Sequence, residues 1–136
     1  MMKTRDMLIA AACVVALASA AMATDFTKLR NDQRVHNELL VASLIYLITD
    51  NCSDLKVRKL RLVGRVLSLQ KYARGLGYTN SEISDYIDSK EEQDRFRAIA
   101  EPMLAKMGAV KGDANSYCAV GRAEIEKGSE IGAALR

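Results

Sequence analysis

Arg58, Arg61 and Arg65 recur at i, i+3 and i+7, beside Lys56 and Lys59. On a helix that spacing places the three guanidinium groups on one face. A guanidinium is always charged and presents a rigid fork of donors that suits carboxylate and phosphate. This stripe is the candidate anion- or partner-binding face, for an acidic protein, a phosphate or an anionic lipid head group. The competing expectation is a solvated face paired with the acidic stretch Glu82 to Asp94, because surface pairs are common and individually weak.

Glu91, Glu92 and Asp94 are the candidate carboxylates for acid–base work. That chemistry needs one carboxyl raised by an apolar pocket. These three sit at an expected helix start, which stabilises the anion, so capping is the stronger expectation. His36, the single histidine, falls in the polar first turns of a helix and is expected at the surface. No second ligand type lies four residues on, as a helical metal pair needs. Glu124 and Glu126 flank Ile125 and point to different faces. Tyr46, Tyr72, Tyr78, Tyr86 and Tyr117 are scattered and read as core-edge aromatics with a wet hydroxyl. Phosphate-loop and dinucleotide patterns are absent, and Gly75-Leu76-Gly77 reads as a helix end. No catalytic residue, metal or cofactor is expected, and the chain is expected not to be an enzyme.

The elements that must position these residues follow a leader. Lys3 and Arg5 form a positive start, Met7 to Leu17 is apolar, and Ala21-Met22-Ala23 offers small residues for cleavage. That order is a secretory signal peptide, which assigns residues 1–23 to export and 24–136 to one helical domain in the periplasm. An uncleaved anchor is the alternative. Of the formal net charge of +3, the leader carries Lys3, Arg5 and Asp6, a net +1. The remainder is close to neutral, which argues against a nucleic-acid partner. The hydrophobic fraction of 49% argues against disorder.

Cys13 leaves with the leader, so Cys52 and Cys118 remain. In an oxidising compartment two cysteines are expected to join. Closing so long a loop stabilises by about 4 kcal/mol in the chain-entropy account. Two buried free thiols are the alternative, and a redox pair is disfavoured because catalytic dithiols sit close in sequence.

Every segment after the leader has helical rather than alternating periodicity. Thr24 to Asn31 is polar and expected to be loose. Asp32 to Asp50 is a helix with a broad apolar surface: Val35, Leu39, Leu40, Ala42, Leu44, Tyr46, Leu47 and Ile48. Leu55 to Leu76 is a second helix, with Leu60, Val63, Val66, Leu67, Ala73 and Leu76 as its apolar set. The disulfide would tie its start to the fifth helix. Thr79 and Glu82 form a capping box, with Tyr78 and Ile83 as the hydrophobic staple, and open a short third helix to about Asp88. Ser89 and Glu92 repeat the box. Phe96, Ile99, Ala100, Met103 and Met107 form the stripe of a fourth helix, which Pro102 should kink or divide. Gly108 ends it, Asp113 or Asn115 caps a fifth helix, Gly128 ends that, and Ser129 caps a last turn. The expected fold is all-α, a small five- to six-helix bundle stapled by one disulfide.

Three blocks carry a resemblance: Asn51-Cys52; Leu76 to Ile83 with Tyr86-Ile87; and Tyr117 to Ile125, continued by the tail Gly128 to Arg136. Together they resemble a family of short secreted bacterial proteins catalogued as a domain of unknown function, over roughly Asp50 to Arg136. Some members are encoded beside subunits of respiratory complex I. The resemblance implies a periplasmic helical protein, supports the Cys52–Cys118 bond and implies that the tail is docked, with Gly121 and Gly132 allowing close helix approach. It assigns no active residue.

The expected function is a non-enzymatic periplasmic interaction or accessory protein with an unidentified protein partner, linked through the resemblance to complex I. Peripheral membrane association is compatible with it. The alternatives are a periplasmic acid-stress chaperone, which needs carboxylates whose protonation opens an interface, and an immunity or inhibitor protein with one tight partner.

Overall fold

A computed structural model describes residues 22–136. The leader assigned to residues 1–23 falls almost wholly outside the described residues. Seven helices follow among the described residues: α1 Thr27–Asn31, α2 Gln33–Asn51, α3 Lys59–Gly75, α4 Asn80–Asp88, α5 Lys90–Met107, α6 Ala114–Lys127 and α7 Glu130–Ala133. The fold is all-α among the described residues; α7 is the expected last turn capped by Ser129, and α1 is the helix beyond the expected five to six.

Helix α2 is the hub. Asp32 caps it by accepting from the Val35 N–H at 2.9 Å. It buries Leu44, Ile45, Leu47 and Ile48, four of five consecutive residues, so its apolar surface wraps most of the helix. A helix apolar on several sides needs neighbours on several sides. Accordingly α2 packs against α5, α6 and α7, and also against α1 and α3.

The larger core joins α2, α5, α6 and the tail, from Leu44 and Ile48 through Leu104 and Val120 to Leu135. Its staple is the disulfide Cys52–Cys118, with Cα atoms 5.2 Å apart and a sequence separation of 66. Cys52 closes the C-terminus of α2 rather than opening α3. The next residues are extended, not helical, and α3 begins at Lys59 instead of Leu55. The cause is pairing with the tail. Lys56 and Arg136 exchange both backbone hydrogen bonds at 2.8 and 2.9 Å, and the Arg58 N–H donates to the Ala134 carbonyl at 2.7 Å. The docked tail needs glycine at two points. A Cβ on Gly132 would lie 2.0 Å from the Glu124 carbonyl oxygen, and one on Gly121 would lie 2.3 Å from Leu55 Cδ1.

The smaller core gathers Leu29, Val35, Leu69, Ala73, Ile83 and Tyr86. Here residues 24–31 depart from expectation, because the segment is not loose. Phe26 lies against Tyr86 at 5.3 Å and Tyr78 at 6.1 Å between ring centroids. Leu29 is buried. Tyr78 Oη donates to the Asp25 carbonyl at 2.7 Å. One turn of helix presents Phe26, Leu29 and Arg30 together, and their polar neighbours mask that pattern in the sequence.

The Thr79–Glu82 capping box is present in both directions. Ser89 also caps its helix, but Glu92 does not return the bond, because its carboxylate is engaged elsewhere. Helix α5 runs undivided through Pro102. Phe96 and Ala100 before it and Leu104 after it are all buried, and that packing outweighs one lost backbone bond. The buried line of α5 is Glu92, Phe96, Ala100 and Leu104, at strict spacing of four, while Met103 lies exposed.

Candidate functional site

Helix α3 is packed the opposite way round from its sequence pattern. Its inner side meets α2 through polar rungs. Arg65 Nη2 lies 3.0 Å from Glu38 Oε2 and 3.8 Å from Glu130 Oε2. These are ion pairs without an aligned hydrogen bond to that buried nitrogen. One turn on, Arg34 Nη2 donates to Ser68 Oγ at 3.0 Å. A further turn on, Tyr72 Oη donates to Asp32 Oδ2 at 2.8 Å, and the Arg34 guanidinium sits 4.5 Å over the Tyr72 ring. The Asp32 carboxyl is buried enough to push its pKa up, but hydrogen bonds from Val35, Tyr72 and Arg34 outweigh that and hold it below the usual carboxylate range.

Because residues 65, 68 and 72 face α2, Leu60, Val63, Val66 and Leu67 of the expected core set face out, while Ala73 and Leu76 pack into the smaller core as expected. Leu60 is 90% exposed, Leu67 59%, Val63 53% and Val66 42%, whereas only Leu69 and Ala73 of α3 are buried. The cause is the register set by Asp32, Arg34 and Glu38 on α2, which favours the polar edge of α3 over its apolar one. Alongside the exposed aliphatic side chains lie Lys59, Lys71 and Arg74, all exposed. Helix α3 carries five cations and no Asp or Glu in its 17 residues. Among the described residues, Lys59, Arg61, Lys71 and Arg74 make no ion pair.

The three arginines of the expected stripe therefore part company. Arg58 precedes the helix, and its Nε donates to the Leu135 carbonyl at 2.9 Å, which fastens the tail. Arg65 is half-buried on Glu38. Arg61 makes no ion pair among the described residues and lies on the rim of a recess of about 270 Å³ shared with Arg65, Glu38 and Glu130. The mixed charge of that recess does not favour an anion. Nor is the stripe paired with Glu82 to Asp94. Those acids serve other partners.

Chief among them is Glu92. It is buried, with Oε1 accepting from Arg30 Nε and Oε2 from Arg95 Nε, each at 2.8 Å. Burial pushes its carboxyl up. The hydrogen bonds from Arg95, Arg30 and Tyr86 outweigh this and hold it below the usual carboxylate range. A carboxyl held as the anion is a clamp rather than a proton donor. This clamp ties α1 to α5. Glu91 is exposed, and Asp94 pairs with Lys90. Spacing of four from Phe96 was the available signal for a buried residue at 92.

Glu124 is also buried. Hydrogen bonding from Ser129 lowers its pKa, burial opposes this, and Lys127, with Nζ at 2.9 Å, assists. Glu126 is exposed. His36 is half-buried, not at the surface, with its ring 5.3 Å from that of Phe96. Among the described residues no group of three or more His, Cys, Asp or Glu side chains converges to hold a metal. No described helix is long and apolar enough to cross a membrane. An apolar groove of about 350 Å³ runs between α2 and α5, lined by Leu39, Ala42, Tyr46, Phe96 and Arg97 among others.

Residues 27–136 match a family of unknown function, DUF5333, and the chain belongs to that family. The match begins at the first residue of α1, well before Asp50, so it includes the turn that carries Leu29 and Arg30. No curated protein and no solved structure matches the chain.

Proposed function

We propose that this chain is an exported, non-enzymatic interaction protein of the periplasm, and that it docks through the outward face of α3. The observation that carries the reading is the exposed row Leu60, Val63 and Leu67 beside cations that make no ion pair among the described residues, on a helix without an acid. Single exposed aliphatic residues are ordinary, but a contiguous row at helical spacing marks an interaction surface. The apolar leader supports export. The resemblance of its three blocks to proteins encoded beside respiratory complex I makes an accessory or assembly role at that complex the leading specific form of the reading.

The test is affinity capture from crosslinked envelope extracts with the exported form, its disulfide intact. The expected result is stoichiometric recovery of one partner or membrane component, complex I subunits first, and its loss with Leu60→Asp plus Leu67→Asp. Equal recovery by that variant would refute the α3 assignment.

A second reading, an acid-stress chaperone, is favoured by the Glu92 clamp. The native pKa of Glu92 is lowered. Its stabilising contribution is complete above the ordinary carboxylate range and is lost as pH falls through the lowered native value. Protonation would free α1 and uncover Phe26 and Leu29. Recovery of many unrelated clients at acid pH, and of nothing at neutral pH, would select this reading. A single tight partner that is an envelope enzyme, and whose activity is blocked on binding without pH dependence, would instead select an immunity or inhibitor protein.

A further inference from the structure

We infer that the outward face of α3 lies flat on an anionic phospholipid surface. This deepens the docking reading and rests on it. Helix α3 packs chiefly against α2 and α4, so it stands at an edge of the fold. Its outward half is open along 17 residues, or about 25 Å of helix.

The chemistry of the face matches the boundary between head groups and acyl chains. Leu60, Val63 and Leu67 supply an aliphatic centre line with no polar atom. Lys59 lies beside its start, and Lys71 and Arg74 continue the same line one and two turns after Leu67; their long stems let the charges reach phosphate while the aliphatic row sinks. Charge complementarity is one-sided, because α3 contains no Asp or Glu. The inner side of the helix is already committed, with Arg65, Ser68 and Tyr72 bonded to α2, so the outward half is free to dock without unfolding. The aliphatic row is short. Adsorption therefore depends on apolar contact and charge together, and is reversible.

The test is co-sedimentation of the exported form, residues 24–136, which contains both cores and the disulfide. The probes are vesicles of phosphatidylglycerol with phosphatidylcholine, and vesicles of phosphatidylcholine alone. Binding is expected only to the anionic vesicles, with release in 0.5 M salt, roughly as Debye screening requires. Each of Lys59→Gln, Lys71→Gln and Arg74→Gln should lower the partition coefficient by about fivefold. Leu60→Ser with Leu67→Ser should lower it by at least about tenfold. Arg122→Gln on α6 should leave it unchanged. Circular dichroism should show every variant folded, since these side chains are exposed. Equal binding to both vesicle types, or variants that bind like the wild type, would overturn the inference. If no vesicle binds while α3 still crosslinks to an envelope protein, the lipid inference falls and the docking reading stands. If neither occurs, both fall.

Discussion

The two halves of the molecule are held together by different means. On the side of α2, α6 and α7, aliphatic side chains, a disulfide and glycine-tight backbone approach hold the elements together. On the side of α1, α3 and α4, a smaller core is supplemented by charge, through Arg30–Glu92–Arg95 and through the rungs Arg65–Glu38 and Tyr72–Asp32. Polar contacts are directional, so they can set the rotation of a helix independently of its apolar residues. In α3 they do so, and the aliphatic row is released to the outside. The exposed aliphatic face is thus a consequence of how the helix is held.

Removal of the disulfide is expected to act most strongly. Cys52→Ala with Cys118→Ala should cost about 4 kcal/mol in denaturant unfolding and leave the oxidised wild type far ahead of its reduced form. Next, Gly132→Ala should cost about 3 kcal/mol, because its methyl group would meet the Glu124 carbonyl. Its effect should appear as faster hydrogen exchange at Lys56 and Arg58, whose N–H groups are protected by the tail. Glu92→Gln should cost about 2 kcal/mol by loss of charged hydrogen bonds. It should also flatten the acid limb of the stability curve, since the wild-type contribution falls away only as pH drops through the lowered native pKa. A loss equal to that of the disulfide would erase the distinction between the two halves. Least of all, Leu60→Ser with Leu67→Ser should change stability by under about 0.5 kcal/mol. A loss of several kcal/mol would mean that the row is buried in solution.

The helical class, the caps at Thr79, Ser89, Asp113 and Ser129, and the Cys52–Cys118 bond were legible because each rests on short-range chemistry or on a count. The resemblance brought the docked tail into view as well. What escaped depends on contacts between distant segments. Leu55 to Arg58 has helical residues, yet pairs with Ala134 to Arg136 and stays extended. Thr24 to Asn31 is polar in bulk, yet three anchors hold it. The face of α3 was misjudged because periodicity finds an apolar stripe without saying which way it turns. That choice was made by Asp32, Arg34 and Glu38 on another helix. Arg58, Arg61 and Arg65 looked equivalent for the same reason, while their partners are a backbone carbonyl, no ion pair and a glutamate.

The most direct test is site-specific photocrosslinking in intact envelopes, with a photoreactive residue in place of Leu67 on α3 or of Tyr46 in the α2–α5 groove. The account predicts efficient adducts, to lipid or protein, from position 67 and none above background from position 46. Adducts from position 46 with none from position 67 would contradict it and move the docking site to the groove.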